Sequence, residues 1–242
     1  TIAGATTGNT VAQPFTQVGP YWDTAVSGGN LYVGDFNGIN PINGTISDLT
    51  LRGVGSRSGI GYQRATFGIN TIDCYMTGAD DQEVGMEPTA AASMGEHVIV
   101  GNHSAHDGPS SNSMTLSGTG VGRHSYSVIE LNAAIGGAVQ GLDVQNTIVA
   151  SNLVVWTGHP FDGDPAMKFQ ERIDGLAILG NQIYVESDMT TGNICLDMVE
   201  GSGGSNHRST VAGNIFVRRA IAAKVTDFET QNELLFANNY VR

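Results

Sequence analysis

Cysteine is nearly absent. Cys74 and Cys195 are the only two in 242 residues, too few for a disulfide scaffold, and both stand in apolar strand-like phrases that suit buried thiols. Lysine is as scarce, with Lys168 and Lys224 alone, and 11 basic residues face 23 acidic ones for a net charge of −12. That balance leaves no basic footprint for nucleic acid. It also disfavours unaided capture of polyanionic uronates, which would need a local Arg cluster or a bound cation. An acid-rich, Lys-poor composition is compatible with a salty environment. No apolar run reaches the ~20 residues of a membrane-spanning helix. Nucleophile elbows, phosphate loops and dinucleotide fingerprints are missing from any strand–turn–helix setting. The run Gly118–Gly122 has no helix after it and reads as a flexible loop. Charged residues make up only 14% and prolines number 7, whereas glycines number 33. That combination favours an ordered, turn-rich fold.

What is present is a repeat. Two or three apolar residues, an Asn or Asp, and an alternating apolar stretch recur at Ile46-Ser47-Asp48-Leu49-Thr50-Leu51, Ile72-Asp73-Cys74-Tyr75-Met76 and Val98-Ile99-Val100-Gly101-Asn102. Later copies centre on Asn152, Asn181, Asn214 and Asn239. With the Asx as phase, the steps are 25, 29, 50, 29, 33 and 25 residues, and the 50 reads as two coils with a degenerate copy near Val128–Asn132. The strand-like alternation excludes helical repeats, and the step is too short for a four-stranded propeller blade. Stacked coils that bury one apolar column fit instead. An Asn at the same corner of each coil tolerates the left-handed backbone region, and stacked amides can hydrogen-bond from coil to coil. These Asn residues read as corners and not as catalysts.

The corner phrases, among them Asp48-Leu49-Thr50-Leu51-Arg52-Gly53 and Gly180-Asn181-Gln182-Ile183, resemble those of the right-handed parallel β-helix, or pectin-lyase-like, superfamily. The resemblance runs from about residue 30 to the end. It implies an all-β solenoid and is weak for activity, because the superfamily holds polysaccharide lyases, glycoside hydrolases, epimerases, phage tailspikes and structural fibres. A single domain over 1–242 is expected, with no linker. The resemblance also implies a capping helix, which the sequence does not show, so the chain reads as an excerpt of a longer protein or as a subunit capped by partners.

Three stretches carry candidate chemistry in segments between coils, where function concentrates on a rigid solenoid. The first is Asp80, Asp81 and Glu83, followed by Glu87: paired carboxylates suit acid–base work on a glycosidic bond, and hard cations such as Ca²⁺ favour the same set. An acidic solvated turn is the plainer account. The second is His103, His106 and Asp107, with Arg123 and His124 further on. Histidine titrates near neutrality and suits a general acid or base. The resemblance to family lyases gives Arg123 the role of neutralising a sugar carboxylate or acting as base. The plainer account is a polar loop edge. The third runs from Trp156 through His159, Asp162 and Asp164. Aromatics beside carboxylates suit sugar faces and hydroxyls, Asp162-Gly163-Asp164 could help hold Ca²⁺, and a core role for Trp156 weighs equally.

These readings converge on a carbohydrate-recognising module, tailspike-like or secreted, at a virion surface or outside the cell, and as a homotrimer or part of a larger assembly. Catalytic candidates are Asp80, Asp81, Glu83, His103, Arg123 and His124; ligand-binding candidates are His106, Asp107, Trp156, His159, Asp162 and Asp164. The alternatives are a polysaccharide lyase or glycoside hydrolase acting in the same groove, and a structural virion fibre or decoration protein. No cofactor is implied beyond Ca²⁺.

Overall fold

The computed structural model describes residues 9–11, 15–18, 22–24, 31–33, 42–48, 50–63, 66–87, 94–105, 112–117, 124–157, 165–186, 194–199, 206–219, 226–228 and 231–242. Every strand pairing among them is parallel, and each partner lies one coil away in sequence. The chain is a parallel β-solenoid of the right-handed type, all-β as the repeat predicts.

Each coil has four sides. In the best-described coil the first side is Val98–Val100, the second His103–Ala105, the third Asn112–Ser117 and the fourth His124–Ser125. On the first side the stack runs from Thr66–Ile72 through Val98–Val100, Val128–Glu130, Ile148–Ala150, Ala177–Leu179 and Thr210–Ala212 to Leu235–Ala237. The second and third sides belong to one continuous sheet, joined by the long strand Tyr75–Glu87. That strand pairs with His103–Ala105 at its start and with Asn112–Ser117 further along.

The core follows from alternation within these short strands. The central residue of each first-side strand points inward, giving a column of Ile99, Ile129, Val149, Ile178 and Val211, all fully buried. Met76, Ser104, Ala134, Val154, Ile183 and Phe216 form the equivalent column on the second side, with Ser104 its one polar member. Each of these larger side chains removed from water contributes about 1.5–3 kcal/mol.

The corner between the first and second sides is held by an amide ladder. Asn102, Asn132, Asn152, Asn181 and Asn214 are buried there. Each donates its backbone N–H and a side-chain N–H to the Oδ1 of the next Asn, at 2.9–3.0 Å. The other side-chain N–H goes to a carbonyl of the preceding coil: Thr71, Ile99, Ile129, Val149 and Ile178 in turn. Two donors and both lone pairs of each inner amide are used, which is what a buried polar group requires.

The structure shifts the phase read from sequence. The left-handed residue is the one before the ladder Asn: Gly101, Leu131, Ser151, Gly180, Gly213 and Asn238, with φ from 53° to 70°. Asp48 and Asp73 occupy that left-handed position themselves, at φ 53° and 51°. In the coil of Asp73 the ladder position is therefore one residue later. Cys74 takes it: its N–H donates to Asn102 Oδ1 at 2.9 Å, and its thiol reaches the Ile72 carbonyl at 3.4 Å and the Ile46 carbonyl at 3.8 Å. The thiol thus replaces the donor half of an amide and ends the ladder. Asn132 completes the register at the degenerate copy, splitting the 50-residue step into 30 and 20.

Candidate functional site

The coil beginning at Val128 returns after only 20 residues. It shows what the cross-section needs, and every longer coil carries its surplus as insertions at corners. The corner between the second and third sides takes much of it. In successive coils it comprises 78–81 inside the strand Tyr75–Glu87, then 106–111, 136–137, 157–166, 186–195 and 219–225. The two-residue turn at 136–137 stands between two longer connections, leaving a low point in the row.

Most of the candidates read from the sequence belong to the segments that connect strands at this corner. Asp80 and Asp81 lie in the strand Tyr75–Glu87 where it passes the corner, while His106 and Asp107 belong to the connection 106–111, and His159, Asp162 and Asp164 to the connection 157–166. Neighbouring strands are ~4.8 Å apart, so the strand ends that flank these connections span about 15 Å of the solenoid axis. The backbone at Asp80 and Asp81 is irregular. Ser56 pairs with Ala79 but Ser58 with Gln82, so two residues oppose Arg57 alone. Such bulges re-aim side chains and are over-represented beside active sites. Glu83 lies past the corner, on the third side next to Gln82. His106, Asp107, Arg123, His159, Asp162 and Asp164 lie outside the described residues; their connections are fixed here only by the strands that flank them.

His103 is separated from His124. His103 begins the second-side strand, between Tyr75 and Ala133, whereas His124 pairs with Met94 and Val144 on the fourth side. The first side stands between them, so the described backbone does not bring His103 and His124 together as one acid–base pair. His103 is exposed and makes an edge-on contact with Tyr75, ring centroids 4.9 Å apart at 64°. Trp156 is fully buried at the inward end of Leu153–Trp156. Its ring packs in the core, the alternative weighed above, and is withdrawn from any ligand. Tyr75, 41% accessible, and Tyr240, 56% accessible, are exposed aromatics of the second side. Each stands directly after a ladder position, Cys74 or Asn239, and so points outward.

Two ion pairs are located away from this corner, one where the third side meets the fourth and one along the fourth. Arg172 donates to Asp143 Oδ1 at 2.6 Å, and Arg208 reaches both Asp174 carboxylate oxygens at 2.9 and 2.7 Å. These carboxylates raise the pKa of both guanidinium groups, the side-chain hydrogen bond being the larger cause in each case. Among the described residues no group of three or more His, Cys, Asp or Glu is placed to hold a metal ion. The acidic residues proposed for Ca²⁺ are not among those whose side chains are described.

No protein-family model matches the sequence, and no curated protein does. Among solved structures the chain is similar to the crystal structure of the Dettilon tailspike protein (gp208), with 8% identity, a TM-score of 0.33, and coverage of 91% of this chain and 61% of that one. The chain thus spans about three fifths of that protein's length. The fold assignment rests on the strand register and the amide ladder.

Proposed function

We propose that this chain is a carbohydrate-recognising β-helix module, tailspike-like or secreted. It works at a virion surface or outside the cell as a homotrimer or part of a larger assembly. The observation that carries the proposal is the row of strand ends at one corner, one strand spacing apart from coil to coil and joined by polar connections of unequal length, beside the exposed Tyr75–His103 pair. An extended polymer with repeating hydroxyls matches such a row, because each coil offers contacts one step further along. The net charge of −12 favours neutral polysaccharides over uronates. Glycan-array binding tests this, and no binding across neutral and acidic panels, with and without Ca²⁺, would overturn it.

A second reading has its own support. The register shift opposite Arg57 falls at Asp80 and Asp81, and a carboxylate pair about 5–10 Å apart there would cleave a bound glycan as a hydrolase. New reducing ends that vanish in Asp80→Asn or Asp81→Asn would establish a hydrolase, and unsaturated products a lyase. Binding without cleavage would leave the recognition module.

A further inference from the structure

The corner between the fourth and first sides repeats a simple plan. A left-handed residue comes first: Glu96, Tyr126, Asn146, Gly175, Arg208 and Glu233, with φ from 47° to 71°. The residue after it turns inward, and His97, Ser127, Thr147, Leu176 and Ser209 are all buried there. Hydroxyls or leucine fill this position in the later coils, so the corner itself does not demand a ring. His97 is the titratable member of the column.

His97 is fully buried and ties three coils together. Its Nδ1 accepts the Ile69 N–H of the preceding coil at 3.2 Å. Its own backbone N–H donates to Ser127 Oγ of the following coil at 3.2 Å, and its carbonyl accepts from Val128 N at 2.8 Å. Ile69 is fully buried as well. The ladder between Thr66–Ile72 and Val98–Val100 starts one residue later, at Asn70, so the ring stands in for a ladder carbonyl at Ile69. An N–H aimed at Nδ1 fixes the state of the ring. Only the neutral imidazole has a lone pair there, and its proton is then on Nε2. A protonated ring would meet the Ile69 N–H donor to donor and put a cation at a site shut off from solvent.

The strand beneath, Thr66–Ile72, has no titratable side chain. Glu96 beside the ring is exposed, Tyr126 in the coil above is 63% exposed, and Glu130 lies on the outer face of Val128–Glu130. His124 stands in the fourth-side strand above, in register with Met94 and Val144.

We infer that His97 is an acid-operated clasp: its protonation unfastens the corner at which the coil of Val98–Val100 is held to its two neighbours. The sign follows from which state takes the proton. In the unfolded chain an imidazole titrates near ~6.5, whereas the folded chain refuses the proton for as long as the Ile69 hydrogen bond holds. The clasp is therefore closed above about pH 6.5. Below it, folding is opposed by up to about tenfold in the unfolding constant for each further pH unit. The other corner of the same coil is fastened by Asn102, whose amide does not titrate. Acid should loosen one end of Val98–Val100 and spare the other. The loosened coil also carries His103 and the connection 106–111, so the acidity of the surroundings is passed to the row of segments described above.

Urea titrations of the 242-residue chain from about pH 8 to about pH 5, with His97→Asn alongside, test this. Asparagine offers an amide oxygen close to where Nδ1 stands and does not titrate. The wild type should lose more stability than the variant on acidification, with a gap of about tenfold in the unfolding constant by about pH 5.5. Coinciding profiles, or a steeper fall in the variant, would overturn the inference. Should His97→Asn fail to fold, amide exchange of the wild type decides. After correction for intrinsic rates, protection at Ile69 and Val128 should drop between about pH 7.5 and 5.5, while Asn102 and Asn132 keep theirs. Equal changes at the two corners, or none at either, would sink the clasp.

Discussion

Replacing Asn152 by alanine should destabilise the protein by about 4 kcal/mol. The side chain takes part in four hydrogen bonds: Nδ2 to the Ile129 carbonyl at 2.9 Å, Nδ2 to Asn181 Oδ1 at 2.9 Å, and acceptance at Oδ1 from Asn132 N at 3.0 Å and Asn132 Nδ2 at 2.9 Å. Truncation leaves two donors of Asn132 and the Ile129 carbonyl without partners at a corner where Asn132 and Asn152 are each 2% exposed. Each orphaned buried group costs about 1–3 kcal/mol, donors being the less forgiving. Two donors at ~1.5 kcal/mol and a carbonyl at ~1 kcal/mol give the total. At ~2–4 °C per kcal/mol for a chain of this size, the midpoint should fall by about 8–16 °C. Asn239→Ala is the internal control: it accepts the same two donors from Asn214 but is only half-buried, so water replaces what is lost. Its cost should stay near 1 kcal/mol. Urea titration of both variants, with hydrogen exchange at the amides of 128–132, measures the difference. A loss below ~1 kcal/mol at Asn152, or equal losses at the two sites, would refute the account of the ladder as a fully satisfied buried chain.

Three further outcomes follow from the geometry. Leu131→Gly should relieve about 1 kcal/mol of left-handed strain and raise the melting midpoint, read by thermal melting. Gly141→Ala should cost about 1–3 kcal/mol by overpacking, because the added methyl would stand 2.6 Å from Phe169 Cδ1 and 3.0 Å from Val144 Cγ1; thermal melting decides, and a neutral result would mean that the Phe169 ring swings aside. Burial pushes the Cys195 thiol up from 9.0 to about 12, with Arg218 opposing. A raised thiol pKa keeps its stabilisation below about pH 9 and loses it as pH rises toward 12, at ~1.4 kcal/mol per unit. Native protein should therefore resist thiol reagents at pH 8, and Cys195→Ala should flatten the alkaline arm of the stability profile.

The fold was legible because its main signal is local: an apolar triplet followed by an Asx corner survives variation in coil length. Asn132 fell where a degenerate copy was expected, inside the double step. The phase at Asp48 and Asp73 was misread because Asp in the left-handed position and Asn in the ladder are both Asx to the eye. Their roles differ by one residue, and a ladder position filled by Cys74 carries no amide to mark it. The candidate site was legible as residues and not as a place. The strands that flank Asp80–Asp81 and the connections 106–111 and 157–166 stack at one corner through their register, and spacing along the chain cannot reveal that. Trp156 was undecidable from its phrase, since alternation there leaves the inward and outward parities open until the register of Leu153 with Gln182 is known.

The shortest coil separates two kinds of inheritance. Twenty residues from Val128 close the column and satisfy its ladder, so the extra length in neighbouring coils is not needed to close the cross-section. Segments at the corner between the second and third sides can then be lengthened, shortened or exchanged while the buried Asn and aliphatic columns stay in register. Specificity and stability are written in different stretches of the chain. A lineage built on this plan can change what it grips without relearning how to fold.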